Sequence, residues 1–205
     1  MVAASGPSLT GEVAAAIAAS GLPVVAVNDA YKRLPLADVL YACDASWWRD
    51  RAGARDFAGE RWSSIGRPSR FRHNDKVREQ AAYGLNLIFG DDLPGFSLSP
   101  NCIHYGGNSG FQGVNLALLL GARSIILVGF DMSNAKGAHF FGAHKPPLRN
   151  TQSYVSFIRA FETAAKKLPS HIQIVNASPG SALTCFPRMD FAHALAQVAN
   201  RSIAA

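Results

Sequence analysis

The segment "GGNSGFQGVNLALLLGARSIILVGFD", residues 106–131, decides the fold class. It opens as a glycine-rich turn, continues as an amphipathic helix pattern closed by Gly121, and ends in an apolar run over 124–131. A short apolar run that is bounded by turn residues is typical of a strand buried on both faces of a parallel sheet. A turn, a helix and a buried strand in this order predict an α/β fold.

The same alternation extends in both directions from this segment. Apolar runs at 23–27, 38–44 and 172–178 predict further strands, and a shorter one begins the chain. We expect helices over 10–20, with Thr10 as cap and Gly21 as stop, over 151–168, with Thr151 as cap, and over 189–202. The sequence therefore predicts a Rossmann-like, doubly wound, mainly parallel sheet with helices on both faces.

The bulk composition favours a single domain over residues 1–205. The chain has 205 residues, of which 48% are hydrophobic, enough for one good core. The three cysteines are odd in number and widely spaced, which favours reduced thiols and a cytoplasmic location. The sequence shows no signal peptide pattern, and no apolar run approaches the roughly 20 residues that span a bilayer. We expect no membrane partner, and a homo-oligomer is left open.

The middle of the chain, 47–104, is less regular and rich in arginine and tryptophan. We expect a helix or two and short strands there. Much of the formal net charge of +6 lies in 47–79, which is one pattern of nucleic-acid binding proteins. Acidic residues interrupt the basic ones, so a solvated face or a groove for an anionic small molecule is favoured over a phosphate-backbone footprint.

Polar residues follow the predicted strands at the point where each one ends. In open parallel sheets the ligand crevice lies outside the carboxyl ends of the strands, so these residues are expected to converge on one polar-ligand site. The candidates are Gly6, Pro7, Ser8, Asn28, Asp44, Asn108, Ser109, Gly110 and Asp131, together with residues 176–178.

Two of these segments, "SGPSL" at 5–9 and "GGNSG" at 106–110, place small residues directly before a helix. Free backbone N–H groups at a helix start suit a phosphate, so both segments predict nucleotide binding. A tight structural turn is the alternative for the first. Neither is the GxGxxG pattern of nicotinamide-binding proteins, nor a Walker A loop.

The segment "HFFGAHKPPLRN", 139–150, predicts a catalytic loop. His139 and His144 are five residues apart and cannot share a face of a helix or a strand, and the double proline forbids regular structure. A histidine beside the cleft suits general base work on a hydroxyl acceptor, with Lys145 or Arg149 offsetting phosphate charge. A metal site is not favoured, because further ligands at zinc spacing are missing. An exposed loop with incidental histidines is the alternative.

These motifs together resemble a known group of enzymes. "GPSL" at 6–9, "VNDAY" at 27–31, "NSGFQGVNLALLLGARSIILVGFDM" at 108–132 and "HFFGAH" at 139–144 are similar to motifs of the bacterial CMP-sialic-acid-dependent sialyltransferases. The resemblance implies a nucleotide-sugar donor and a histidine base. Carried over by position, it implies nucleotide contacts at Gly6, Pro7, Ser8, Asn28, Ser109 and Gly110, and His144 as the base.

The chain departs from that family in three places. "SNAKG" follows "GFDM" where tyrosines are expected, Asp44 replaces an asparagine, and the extra residue in "HFFGAH" leaves His139 as an alternative base. The same motifs equally resemble the archaeal 6-hydroxymethylpterin diphosphokinase-like family, whose uncharacterised members are often encoded by phages or prophages.

The sequence thus predicts a transferase, glycosyltransferase-like, that moves a group from a nucleotide or nucleotide-sugar donor to a hydroxyl acceptor and requires no cofactor. One alternative is a diphosphokinase acting on a pterin-like hydroxymethyl acceptor, with Mg²⁺ held by Asp131 and Asp44. Another is a non-catalytic phage accessory protein that binds nucleic acid or a nucleotide.

Overall fold

The computed structural model describes residues 1–66, 81–142 and 153–202. Within these ranges the chain forms an eight-stranded sheet in which each neighbouring pair is parallel, in the order β6-β5-β4-β3-β2-β1-β7-β8. The strands are β1 Val2–Ala3, β2 Val25–Val27, β3 Val39–Tyr41, β4 Glu60–Gly66, β5 Asn86–Asp91, β6 Cys102–His104, β7 Ser124–Val128 and β8 Gln173–Asn176. The predicted α/β, Rossmann-like fold with a parallel sheet is confirmed.

The helices connect these strands. They are α1 Gly11–Ala19, α2 Ala45–Asp50, α3 Ser109–Leu119, α4 Tyr154–Lys166 and α5 Phe191–Ser202, with a 3₁₀ turn over Asn28–Lys32. Thr10 caps α1 as predicted, because its hydroxyl accepts the Val13 N–H at 3.2 Å. The predicted cap of α4 is wrong. Ser153 accepts the Val155 N–H at 3.2 Å, so α4 begins at Tyr154, and Thr151 lies outside the described residues.

Alternation along the strands gives the sheet two apolar faces. In β2, Val25 and Val27 point into one core and Ala26 into the other, since successive side chains of a strand point to opposite faces. The first core also takes the buried faces of α3 and α4, and the second takes those of α1, α2 and α5. The sheet is therefore covered on both faces, as the sequence predicts.

The irregular middle of the chain forms one edge of the sheet. Besides α2, its described part contains β4, β5 and β6, which agrees with the expected mixture of helix and short strands. Ser63 and Ser64 of β4 are both buried, so this strand lacks the apolar run that marks the others. Residues 67–80 of the arginine-rich segment lie outside the described residues.

The direction of the sheet order reverses at β1. From β1 the chain builds outward through β2 to β6, then returns through α3 to place β7 on the other side of β1. Such a switch point leaves a crevice at the carboxyl ends of the strands that flank it, here β1, β2 and β7. Among the described helices, none is both long and apolar enough to cross a membrane.

Candidate functional site

A cleft of about 120 Å³ lies at this switch point; we call it the switch-point cleft. It gathers residues from the ends of several strands and from the start of α3. Its lining includes the sequence-predicted residues Gly6, Asn28, Asn108, Ser109, Gly110, Asp131 and His139, and also Met132 and Tyr154. Residues as distant in the chain as Gly6 and Tyr154 are thus brought together, as the strand-end argument requires.

The segment 5–9, which we call the β1 turn, is packed against Asp131. A Cβ atom at Gly6 would overlap the Asp131 carboxylate and the Gly129 carbonyl oxygen, so only glycine fits there. The Asp131 carboxylate accepts the Ser8 hydroxyl at 2.7 Å and the Ser8 N–H at 3.2 Å and 3.3 Å to its two oxygens. The anion position of this turn is therefore filled by a side chain of the protein itself.

This contact bears on the prediction that the β1 turn, residues 5–9, binds a phosphate. Ser8 and Pro7 do not line the cleft, and Ser8 acts on Asp131 instead. A ligand phosphate would have to displace the carboxylate before it could reach the Ser8 N–H. The β1 turn thus shapes the cleft through Gly6 and Asp131.

The segment 106–110, the α3 turn, is arranged differently. Asn108 caps α3 by accepting the Phe111 N–H at 2.8 Å, and Ser109 exchanges hydrogen bonds with Cys43 at the end of β3 through its hydroxyl. In the described part of the chain no group accepts the backbone N–H of Ser109 or Gly110. Both residues line the cleft, so the positive end of an 11-residue helix and two free donors are available to an anion.

Asn28 lies across the cleft in a strained conformation. Its φ of 51° is left-handed, which asparagine tolerates better than most residues. Its side-chain oxygen Oδ1 is buried and has no hydrogen-bond partner among the residues described. Buried polar atoms are nearly always paired, so this amide is an available group for a polar ligand. Met132, also in the cleft, shares the left-handed φ of 51°, and such strain concentrates at functional sites.

A buried charge cluster anchors the residue next to Asn28. Asp29 is fully buried and accepts two 2.8 Å hydrogen bonds from Arg51, and Lys32 approaches it to 2.8 Å. Burial raises the pKa of Asp29, but the hydrogen bonds from Arg51 and Lys32 outweigh this, so the pKa lies below its ordinary value. The cluster fixes the start of the 3₁₀ turn and with it the position of Asn28.

His139 and Tyr154 supply the titratable groups of the cleft besides Asp131. The His139 ring stacks on Phe141 with centroids 4.9 Å apart, and the Phe140 N–H donates to the Ser5 carbonyl at 2.9 Å, which ties this loop to the β1 turn. Burial, and then the charge of Asp131, raise the pKa of Tyr154. Its phenol therefore stays protonated and can donate a hydrogen bond. Tyr154 is not among the residues predicted from the sequence, because its position resembles one more apolar position of a helix.

Other predicted residues lie elsewhere. Asp44 is exposed at the end of β3, outside the cleft lining, and caps α2 only through its backbone oxygen. Asn176 and Ser178 are buried and bond to the chain itself, through the Leu183 carbonyl and the Phe130 N–H. The remaining candidates, His144, Lys145 and Arg149, lie outside the described residues.

The two carboxylates predicted for Mg²⁺ differ in their position relative to the switch-point cleft. Asp131 lines the cleft and is bonded to Ser8, whereas Asp44 does not line it. Across residues 1–66, 81–142 and 153–202, no three His, Cys, Asp or Glu side chains are grouped so that they could hold a metal ion.

Comparisons with known proteins agree with the fold. Neither a family model nor a curated protein matches the sequence. The structure of MAf glycosyltransferase from Magnetospirillum magneticum AMB-1 is similar, with a TM-score of 0.59 and 15% identity, over 97% of this chain and 37% of that one. The chain thus spans well under half of that protein. At this identity the likeness shows the fold, and the sialyltransferase and diphosphokinase resemblances remain expectations.

Proposed function

We propose that the chain is a glycosyltransferase-like transferase unit that binds a nucleotide-sugar donor in the switch-point cleft. The observation that carries the proposal is the pair of unengaged N–H groups of Ser109 and Gly110, which lies in the same cleft as the unpartnered side-chain oxygen of Asn28. The MAf protein with a similar fold is named a glycosyltransferase, which supports the same class.

The donor phosphate would bind at the α3 turn. Two N–H donors and the helix dipole stabilise an anion there, whereas Asp131 repels it from the β1 turn. The Asn28 amide is suited to a ribose hydroxyl or a base edge. The cleft, at about 120 Å³, is smaller than the roughly 300–1,000 Å³ of typical ligand pockets. We therefore expect only the phosphate region of the donor to be enclosed.

In the proposed reaction the acceptor oxygen forms a bond to the anomeric carbon of the sugar. The bond from that carbon to the phosphate oxygen breaks, the phosphate keeps the electron pair, and the acceptor proton passes to a base. His139 is the base candidate that lines the cleft, and His144 is the other. Tyr154 can donate a hydrogen bond to the leaving phosphate, and Lys145 or Arg149 would offset its charge.

A nucleotide panel tests this proposal. Calorimetric titration with CMP, CDP, UDP, ADP and ATP, each with and without Mg²⁺, is expected to show binding of one nucleotide that does not depend on the ion. The Asn28→Ala variant should weaken that binding by up to about tenfold, because a hydrogen bond between neutral groups contributes up to about 1.5 kcal/mol. Asp44→Ala, which removes an exposed carboxylate outside the cleft lining, serves as the matched control.

The outcomes of the panel separate the competing functions. Binding only in the presence of Mg²⁺ would favour a diphosphokinase. No binding to any of the five nucleotides would contradict the proposal, and equal weakening by Asn28→Ala and Asp44→Ala would move the donor out of the switch-point cleft.

A further inference from the structure

A second and larger cavity adjoins the switch-point cleft. It has a volume of about 560 Å³, and we call it the α4 cavity. Gly106 and Gly107 form part of its wall and immediately precede Asn108 of the cleft, and Ser153 of its wall immediately precedes Tyr154. The two spaces therefore lie on either side of the α3 turn. The volume of the α4 cavity is within the range of pocket volumes that take drug-sized ligands.

One wall of the α4 cavity is held rigidly. The loop that follows β5 supplies this wall, and the fully buried side chain of Asn115 binds it from α3. The Asn115 oxygen accepts the N–H groups of Ser97 and His104 at 2.9 Å each, and its NH₂ donates to the Ser97 carbonyl at 2.8 Å. His104 also bonds to the Gly95 carbonyl at 2.8 Å. The cavity is thus preformed, which lowers the entropic cost of binding.

The opposite wall is a polar face of α4. Ser156, Arg159 and Thr163 line the cavity at helical spacing. The Ser156 and Thr163 hydroxyls donate to backbone carbonyls at 2.7 Å and 2.9 Å, which leaves their lone pairs to accept. None of the described residues forms an ion pair or hydrogen bond with the Arg159 guanidinium.

The charged residues in the described lining of the cavity are one acid and one base, Asp92 and Arg159, while Lys167, outside the lining, donates to the Pro94 carbonyl at 3.3 Å. Asp92 lies in the wall beside Leu93, and its carboxylate has no bonded partner in the parts of the chain that are described. It offsets the charge of Arg159, so the lining itself has no net charge that would favour a cationic or an anionic ligand. Leu93 is 53% exposed and offers an apolar surface beside these polar groups.

We propose that the α4 cavity binds the acceptor, and that the acceptor is a neutral carbohydrate about the size of a mono- or disaccharide. Vicinal sugar hydroxyls can accept from Arg159 and donate to Asp92, while the C–H face of a sugar ring packs on Leu93. The position of the cavity beside the α3 turn brings an acceptor hydroxyl toward the donor. This inference rests on the proposed transferase function and assigns the second substrate of that reaction.

Ligand-observed NMR with neutral methyl glycosides tests the inference. The probes are methyl glucoside, galactoside and N-acetylglucosaminide, with glucuronic acid and glucosamine as anionic and cationic counterparts. At least one neutral glycoside is expected to bind. Arg159→Gln should weaken that binding about tenfold, since hydrogen bonds to a charged group are the stronger class. Lys166→Gln, on the same helix but outside the cavity lining, should leave it unchanged.

Nucleotide binding measured on the same variants separates this inference from the proposed function. Arg159→Gln should bind the nucleotide as the wild type does, because Arg159 does not line the switch-point cleft. Glycoside binding that depends on Arg159 supports the inference even if no nucleotide binds. Absence of glycoside binding, equal binding by Arg159→Gln and Lys166→Gln, or preference for the charged sugars would each overturn it.

Discussion

The β1 turn and the α3 turn look alike in sequence and differ in structure. Both join small residues to the start of a helix, and both meet at the switch-point cleft. At the β1 turn the Ser8 N–H and hydroxyl bind Asp131, which follows β7. At the α3 turn the N–H groups of Ser109 and Gly110 bind nothing within the described residues. A glycine-rich helix start is therefore an anion site only where the fold brings no carboxylate of its own.

The largest effect is expected from the cluster that holds Asn28 opposite the α3 turn. Arg51→Ala leaves the fully buried carboxylate of Asp29 with Lys32 and the Trp47 N–H as partners. Removing one partner of a buried ion pair lowers the free energy of unfolding by about 3–5 kcal/mol. Because Asp29 keeps two partners, we expect a loss near the lower figure. Chemical denaturation measures the loss, with the exposed Arg55→Ala as control, for which we expect a change within about 0.5 kcal/mol.

The same variant should shift the acid dependence of stability. Because the pKa of Asp29 is lowered in the folded protein, its contribution is present above the ordinary value of about 3.9 and is lost as the pH falls through the lowered pKa. Without Arg51 the effect of burial is less opposed, so the folded-state pKa of Asp29 rises toward the unfolded value and less stability is lost as the pH falls through the acidic range. Arg51→Ala and wild-type curves that run parallel through the acidic range would contradict this account of Asp29.

A smaller effect is expected when the carboxylate is removed from the β1 turn. Asp131→Ala leaves the Ser8 N–H and hydroxyl without their acceptor, which should cost about 1–3 kcal/mol. Inorganic phosphate should then stabilise the variant more than the wild type, because the β1 turn becomes an anion site. The two measurements are denaturation with and without phosphate, and Asp44→Ala is the control. If Asp131→Ala lost no more stability than Asp44→Ala, the carboxylate would not be what closes this turn.

Much of the fold could be predicted from the sequence, because most strands are marked locally. β2, β3, β7 and β8 are short apolar runs that end in a polar residue, and parallel strands buried on both faces require that composition. β4 carries no such mark, since its buried positions include Ser63 and Ser64 and its neighbours include charged residues. A strand of this kind is recognised only through the pairing of its backbone with β3 and β5.

The sequence predicts where the candidate site lies, but not which of its backbone groups are free to bind a ligand. The rule that ligands bind at the carboxyl ends of parallel strands brings Gly6, Asn28 and Ser109 into one cleft. Local sequence does not show which N–H groups remain free, because the acceptor of the Ser8 N–H lies 123 residues along the chain. The polar face of α4 depends in the same way on a loop of distant residues, 92–95, that packs opposite it.

The central claim is that the free N–H groups of the α3 turn bind the donor phosphate. Ser109 is the first residue of α3, a position where proline is accepted, and Asn108 has the extended conformation that precedes proline, with φ −156° and ψ 156°. Ser109→Pro therefore removes one N–H and keeps the helix, while Ser109→Ala removes only the hydroxyl.

The most direct measurement is calorimetric titration of these two variants and the wild type with the nucleotide of the panel that binds best. We predict that Ser109→Pro binds about tenfold more weakly than Ser109→Ala, since it alone lacks a hydrogen bond to a charged phosphate oxygen. Equal affinities of the two variants would show that the phosphate does not contact this N–H, and the central claim would be wrong.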